Sequence, residues 1–305
     1  MEEAIATIRQ FNRFYTRYVG ALNAHFLGSD LSLAEARILF EIVQGLRLLA
    51  SDLQSRLGMD AGFVSRVISR FEARGWIVRT RDSSDARQLS IAITSAGQAM
   101  FQQIDERQHE AVVAILERLQ PSDRADLCAA LRLSQTLLDD EARPAFTLRT
   151  FRPGDMGMIA ARQSILYRDV YGWGPQIEVI AGEVTTEFVR NFKPGREQCW
   201  VAEVNGTMAG SVFLTDEGDG LCRLRLLYVE SFARGLGIGN ALVEACLTFA
   251  REIGYSAMTL WTHTILTSAR RIYAAHGFEI VESHVHEEFG APIESETWRL
   301  DLRRP

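Results

Sequence analysis

Apolar positions in the first part of the chain recur at three- and four-residue steps, so that Ile5, Ile8, Phe11, Tyr15, Tyr18 and Leu22 share one face of a helix. "LSLAEARILFEIV" keeps that period, and Ser32 three residues before Glu35 predicts a capping box. "LLASDLQSRLGM" and "DAGFVSRVISRFEARG" predict two shorter helices separated by Gly58-Met59-Asp60, the second ended by Gly75. The period then drops to two. "WIVRTR" and "LSIAIT" are rich in β-branched residues, which predicts two strands flanking the polar turn "DSSDAR". Thr94 is suited to cap the next helix, 95–119, and Pro121 separates it from a last helix carrying Leu127, Leu131 and Leu138. Helix, turn, helix and a two-stranded wing make a winged helix-turn-helix.

"DDEARPAFTL" breaks the periodicity and predicts a hinge. Strands and helices mix beyond it: a strand at 146–152, a turn at Pro153-Gly154 with Asp155 as N-cap, and helical material through the 180s. Strands are predicted at "CWVAEV", "MAGSVFL" and "CRLRLLYVE", then a helix at 235–253, a strand at "AMTLWTH", a helix at 267–276, and a closing pair "FEIVESHVH" and "ETWRLDL". A length of 305 residues fits two cores. The expected organisation is a mainly α winged helix-turn-helix domain over 1–140, a linker at 141–147 and an α/β (α+β) domain over 148–305.

Charge changes this picture locally. The net charge is −6, and Lys193 is the one lysine. Within 61–87, however, Arg66, Arg70, Arg74, Arg79, Arg81 and Arg87 outweigh Glu72, Asp82 and Asp85. Recognition helices present their N-terminal residues to base edges, while arginines at the helix end and wing take phosphates. The cations therefore sit where double-stranded DNA would lie. Four cysteines lack any short metal-binding spacing, and His284 and His286 have no third ligand nearby, so no metal site is expected. The start "MEEAIATIRQ" lacks the features of a secretory signal and no run approaches 18 apolar residues, which gives a cytoplasmic expectation and no membrane partner.

"FARGLGIGNAL" follows a strand and opens a helix, the arrangement that brings backbone N–H groups to a phosphate. A Walker A loop would need a lysine that is absent here, and the spacing Gly235-x-Gly237-x-Gly239 is not that of a dinucleotide fingerprint.

Two resemblances fit these patterns. "VSRVISRFEARGWIVR" and "DSSDARQLSIAITSAG" make residues 5–140 similar to the MarR family of transcriptional regulators. The resemblance implies that Ser65 and Arg66 face the major groove and that Asp85 directs Arg87 towards the minor groove. It also implies a homodimer, joined by the first and last helices, on a pseudo-palindromic operator; Arg70 and Arg81 are the further DNA-contact candidates. The stretch from Arg234 to Gly239 resembles motif A of the GNAT acetyltransferases. "FTLRTFRPGDMGMI" resembles their first strand and turn, and "SARRIYAAHGFEIV" their motif B, with Tyr273 four residues before Gly277-Phe278. The likeness covers about 146–302.

The second resemblance implies acetyl-coenzyme A as cofactor, its pyrophosphate held by Arg234, Gly235, Leu236, Gly237, Ile238, Gly239 and Asn240. Leu227, Tyr228 and Val229 would take the pantetheine arm from a splayed strand, and Tyr273 would protonate the leaving thiolate. "TILTSA" lacks the asparagine common in the family, which leaves Thr267 as the contact there. Glu203 is the first candidate for a general base acting through water. Tyr167, Tyr171 and Trp173, with Glu178, Glu183 and Glu187, would frame a cationic amine. The joined expectation is a DNA-binding regulator that is also an N-acetyltransferase acting on a primary amine. A non-catalytic acetyl-coenzyme A sensor and a DNA-tethered protein-lysine acetyltransferase remain open beside it.

Overall fold

The computed structural model describes residues 1–45, 48–81, 89–139 and 144–303, in two compact units, Met1–Arg124 and Ala125–Pro305. In the first, α1 (Glu2–Tyr18) precedes a single 3-10 turn, then α2 (Leu33–Gln44), α3 (Ala50–Leu57) and α4 (Ala61–Ala73). The capping box at the start of α2 is present: Glu35 N donates to Ser32 Oγ and Ser32 N to the Glu35 carboxylate. Strands β1 (Ile77–Arg81) and β2 (Leu89–Ile93) pair antiparallel, Ile77 opposite Ile93, and form the wing. Thr94 caps α5 (Ser95–Leu116), accepting from Gly97 N, and α6 (Pro121–Leu138) follows, with the boundary between the two units falling in its first turn at Arg124–Ala125. Leu31, Ile38, Leu53, Val64, Phe71 and Ile91 fill the core of this unit.

The first helix differs from its reading. It stops at Tyr18 because Gly20 takes a left-handed φ of +68°, so Leu22 lies beyond it. Ile8, Phe11, Phe14 and Tyr18 on α1 are each about half exposed, and no α1 residue is buried.

The second unit carries a seven-stranded sheet. Strand β3 (Phe146–Thr150) is followed by α7 (Asp155–Tyr171) and α8 (Gln176–Asn191), then β4 (Gln198–Val204), β5 (Thr207–Gly218) and β6 (Leu221–Val229). Helix α9 (Ile238–Ile253), β7 (Ala257–His263), α10 (Thr267–Ala275), β8 (Glu279–His286) and β9 (Ile293–Asp301) complete it. The strand order is β3-β4-β5-β6-β7-β9-β8, with every neighbouring pair antiparallel except β6 and β7. Alternation sorts the faces. Val212 and Leu214 face α9 through Leu242 and Cys246, while Phe213 between them faces α7 and α8 through Ile159 and Phe188. Asp155 is not the N-cap of α7. Gly154 holds that position in the left-handed region, and the Asp155 carboxylate instead accepts from Arg152 N and from Arg149.

Candidate active site

Three local features build a candidate site at the centre of this sheet. Strands β6 and β7 pair only from Leu221 to Leu224, so from Arg225 to Val229 the strand has no partner on its β7 side. A bulge marks the parting. Ser211 pairs with Tyr228 and Phe213 with Arg225, leaving Leu226 and Leu227 opposite Val212, and Leu226 takes a φ of +47°. A bulge rotates the strand, and here it puts Arg225 and Tyr228 on the same face although they stand three residues apart.

The glycine loop follows. Gly235 and Gly237 adopt φ of +84° and +85°, conformations that cost a side-chain-bearing residue, and Gly237 becomes the N-cap of α9. The helix therefore begins at Ile238, three residues later than its apolar period suggests. Gly239 serves close approach instead: a Cβ there would come within 2.8 Å of Ile272 Cδ1 on α10. Among the described residues, the amides of Gly235 through Asn240 find no protein acceptor, as the first turn of a helix requires unless something else accepts from them.

A cavity of about 490 Å³ opens here. Leu227, Tyr228 and Val229 line one side; Arg234, Gly235, Gly237, Ile238, Gly239 and Asn240 line the other. Two expected residues are missing from its wall. Leu236 turns inward against the α9 core, and Thr267 is exposed at the start of α10, where its neighbours Ser268 and Ala269 line the cavity instead. The tyrosine Tyr228 is buried with its hydroxyl unpartnered, and burial pushes its phenol well up.

A second cavity of about 180 Å³ adjoins the first, sharing Tyr167, Leu227, Leu266 and Ala269 with it. Trp173 stacks between Tyr167 (4.8 Å between ring centroids) and Phe289 (4.1 Å) in its wall. Tyr273 lines this cavity too, packed against Phe278 and Trp298, and burial holds its phenol far above the ordinary value, so the hydroxyl stays protonated. Phe188 and Phe192 belong to the core near Phe151, and Glu178, Glu183 and Glu187 are exposed on α8.

Glu203 is not brought to either cavity. On β4 it accepts from Arg149 Nε at 2.7 Å and Arg152 at 3.2 Å, because β3 lies alongside and places Arg149 between Glu203 and Asp155. The titratable base that does line the smaller cavity is His263, at the end of β7. Its Nε2 lies 3.0 Å from His286 Nε2, and burial together with His286 and His284 lowers its pKa to about 4. It is therefore neutral at pH 7 and does not repel an ammonium group. Nothing in the local sequence distinguishes His263 from a packed strand residue; its register opposite Ser295 on β9, beside His284, is what gathers the histidines. Among the described residues no group of three or more metal-ligating side chains is assembled.

In the first unit, Asp60 caps α4 by accepting from Phe63 N, and Ser65 and Arg66 lie exposed on that helix. Arg70 does not stand free for phosphate as expected. It is ion-paired with Glu35, the same buried carboxylate that closes the capping box of α2. Arg79 is likewise paired with Glu72. Arg81 ends β1, while Asp85 and Arg87 lie outside the described residues.

Comparison with known proteins agrees with this division. Residues 167–278 match the acetyltransferase (GNAT) family and residues 29–88 the MarR family. An uncharacterized N-acetyltransferase of Schizosaccharomyces pombe is 36% identical over 100 residues, covering 32% of this chain and 61% of that protein. The N-acetylaspartate synthetase of Xenopus tropicalis is 36% identical over 90 residues, covering 28% of this chain and 33% of that one. The chain thus spans about three-fifths of the first relative's length and a third of the second's. The crystal structure of a ribosomal-protein-alanine N-acetyltransferase from Brucella melitensis aligns with a TM-score of 0.43 at 18% identity, over 51% of this chain and 99% of that one. The chain joins a MarR-family region to a GNAT-family acetyltransferase domain.

Proposed function

We propose that the second unit transfers an acetyl group from acetyl-coenzyme A to a primary amine on a small molecule, and that the first unit is a DNA-binding transcriptional regulator. The observation that carries the enzymatic reading is the row of unclaimed amides from Gly235 to Asn240, opening onto the unpaired stretch of β6 and adjoining a second cavity. The residues fit the cofactor. Six successive amides at a helix start, with Arg234 beside them, suit a pyrophosphate, and the free edge of Leu227 to Val229 suits an amide-bearing arm.

Bound acetyl-coenzyme A would supply a thioester whose carbonyl carbon accepts a new C–N bond from the amine as the C–S bond breaks and the thiolate takes up a proton. Backbone amides of the splayed strand polarise the carbonyl. The acceptor would lose one proton to solvent water before attack and a second as the amide forms, and neutral His263 adds no charge opposing the ammonium's entry. Tyr273, kept protonated by burial, donates to the departing sulfur and is restored from solvent. Release of free thiol across a panel of amines tests this. Tyr273→Phe is expected to lower turnover roughly 100-fold with acetyl-coenzyme A affinity unchanged. Tight cofactor binding without turnover on any amine would replace the enzyme with a sensor, and full activity in the variant would remove Tyr273 from the chemistry.

For the first unit, the exposed pair Ser65 and Arg66 on a helix capped by Asp60 supports major-groove contact, and the half-exposed apolar stripe of α1 supports a second copy as its cover. Because Arg70 on α4 and Arg79 on β1 are spent on internal ion pairs, Arg66 carries more of the DNA contact than the arginine count suggests. In a gel shift with a promoter fragment, Arg66→Ala is expected to cost about 1–3 kcal/mol, on a protein that sediments as a dimer. Equal affinity in the variant, or a monomer that binds as tightly, would overturn the reading.

A further inference from the structure

The smaller cavity contains a charge that the fold leaves unanswered. Arg225 stands on β6 where the strand parts from β7, on the face covered by α7 and α8, and lines the wall of that cavity. No hydrogen bond or ion pair engages its guanidinium among the described residues. Arg223, two residues before it on the same face, takes Glu217 at 3.3 Å and adds a second positive charge nearby. Two carboxylates favour its charge from a distance without pairing with it: Glu217, which Arg223 takes, and Glu187, exposed on α8. Burial and the Arg223 charge both press against the ionised form of Arg225, yet a guanidinium does not give up its proton. A half-buried, unpaired cation beside another cation is costly unless an anion joins it.

The rest of the cavity describes the body of the guest. Tyr167, Trp173 and Phe289 form a parallel stack along one wall, surfaces that favour a flat apolar group. A volume of about 180 Å³ is close to the roughly 150 Å³ that accommodates a single benzene in an apolar cavity. Gln163 is buried in the same wall. Its amide nitrogen reaches only the Tyr167 hydroxyl, at 3.5 Å, and its amide oxygen has no partner, so it can accept from an N–H donor of the guest.

We infer that the acceptor is an amine that also bears a carboxylate and one ring-sized apolar group, an aromatic amino acid or its close analogue, with the carboxylate on Arg225 and the ring against Trp173. The amine then lies towards Leu227 and Tyr167, the wall shared with the cofactor cavity. This rests on the transferase reading above and narrows its substrate class. The unpaired Arg225 cation and the aromatic wall argue against a polyamine as acceptor.

The test uses the full chain and four probes, L-phenylalanine and L-tryptophan against phenethylamine and tryptamine, which keep the ring and amine and lack the carboxylate. Binding is read from the fluorescence of Trp173, with Trp173→Phe as the reference that removes the signal, and turnover from thiol release. The carboxylate-bearing probes are expected to be favoured about 100-fold in both Kd and kcat/KM, and Arg225→Met to collapse that ratio towards one. Acetyl-coenzyme A binding by the variant reports that its fold is intact. Equal handling of phenylalanine and phenethylamine by the wild type, or a ratio unmoved in Arg225→Met, overturns the inference. Arg225-dependent binding of phenylalanine without turnover upholds the pocket and overturns the enzyme, so the two readings fail separately.

Discussion

Gly237→Val is expected to weaken acetyl-coenzyme A binding by about 100-fold or more in calorimetry, with the second unit still folded. Gly237 sits at φ +85° as the N-cap of α9, and Gly235 two residues earlier at φ +84°. A β-branched residue there pays a backbone penalty of roughly 1–3 kcal/mol, which the loop can relieve by swinging out of the left-handed region. Doing so re-aims the amides that follow. Each amide bonded to a charged oxygen is worth about 1.5–3 kcal/mol, so misdirecting two is enough for the stated loss. No Cβ clash confuses the result, since nothing lies within 4 Å of where the Gly237 Cβ would be. Gly237→Ala, with a smaller penalty, is expected to fall between. Wild-type affinity in the valine variant would mean that this loop does not hold the pyrophosphate.

Arg162→Met is expected to destabilise the second unit by roughly 3 kcal/mol, read as a lowered midpoint in chemical denaturation. Arg162 on α7 donates to Glu230 through Nε at 2.6 Å and through its terminal nitrogen at 2.8 Å. The carboxylate side chain is only 3% exposed while that of Arg162 is 42% exposed, so the two partners are not equivalent. Removing the arginine strands a buried negative charge; removing the glutamate leaves a cation that water can reach. Glu230→Gln is therefore expected to cost distinctly less. Because Glu230 ends the run into the 3-10 turn at Ser231–Ala233, the pair also fixes where the glycine loop starts. An unchanged midpoint in Arg162→Met would show that the pair is a bystander.

Much of the architecture was legible because period and punctuation agree. The Ser32–Glu35 box, the Thr94 cap and the alternation in "LSIAIT" all appear where local chemistry predicts them. Boundaries drifted where a glycine overrode the apolar period, as at Gly20 after α1 and at Gly237 before α9. The left-handed glycine loop ahead of α9 was legible for the same reason: its chemistry is local. The smaller cavity was not. Trp173 meets Phe289 across more than a hundred residues, and Arg225 looks like the polar half of an alternating strand until the parting of β6 and β7 removes its neighbour. Glu203 and Arg70 differ from their reading in the complementary way. Each has the right residue type in the right element, and each is claimed by a partner, Arg149 and Glu35, that only the register of β3 or the packing of α2 supplies.

The wall shared by the two cavities has a thermodynamic meaning. Tyr167 and Leu227 line both cavities, so fixing either side chain for a guest in one would prepare the surface met in the other. Whatever factor the first ligand contributes to the affinity of the second must be returned in the opposite direction, because the cycle of binding steps closes. On the proposed reading, two ligands separated by Tyr167, Leu227, Leu266 and Ala269 would bind as a coupled pair, and the saturation curve of either would report on the presence of the other.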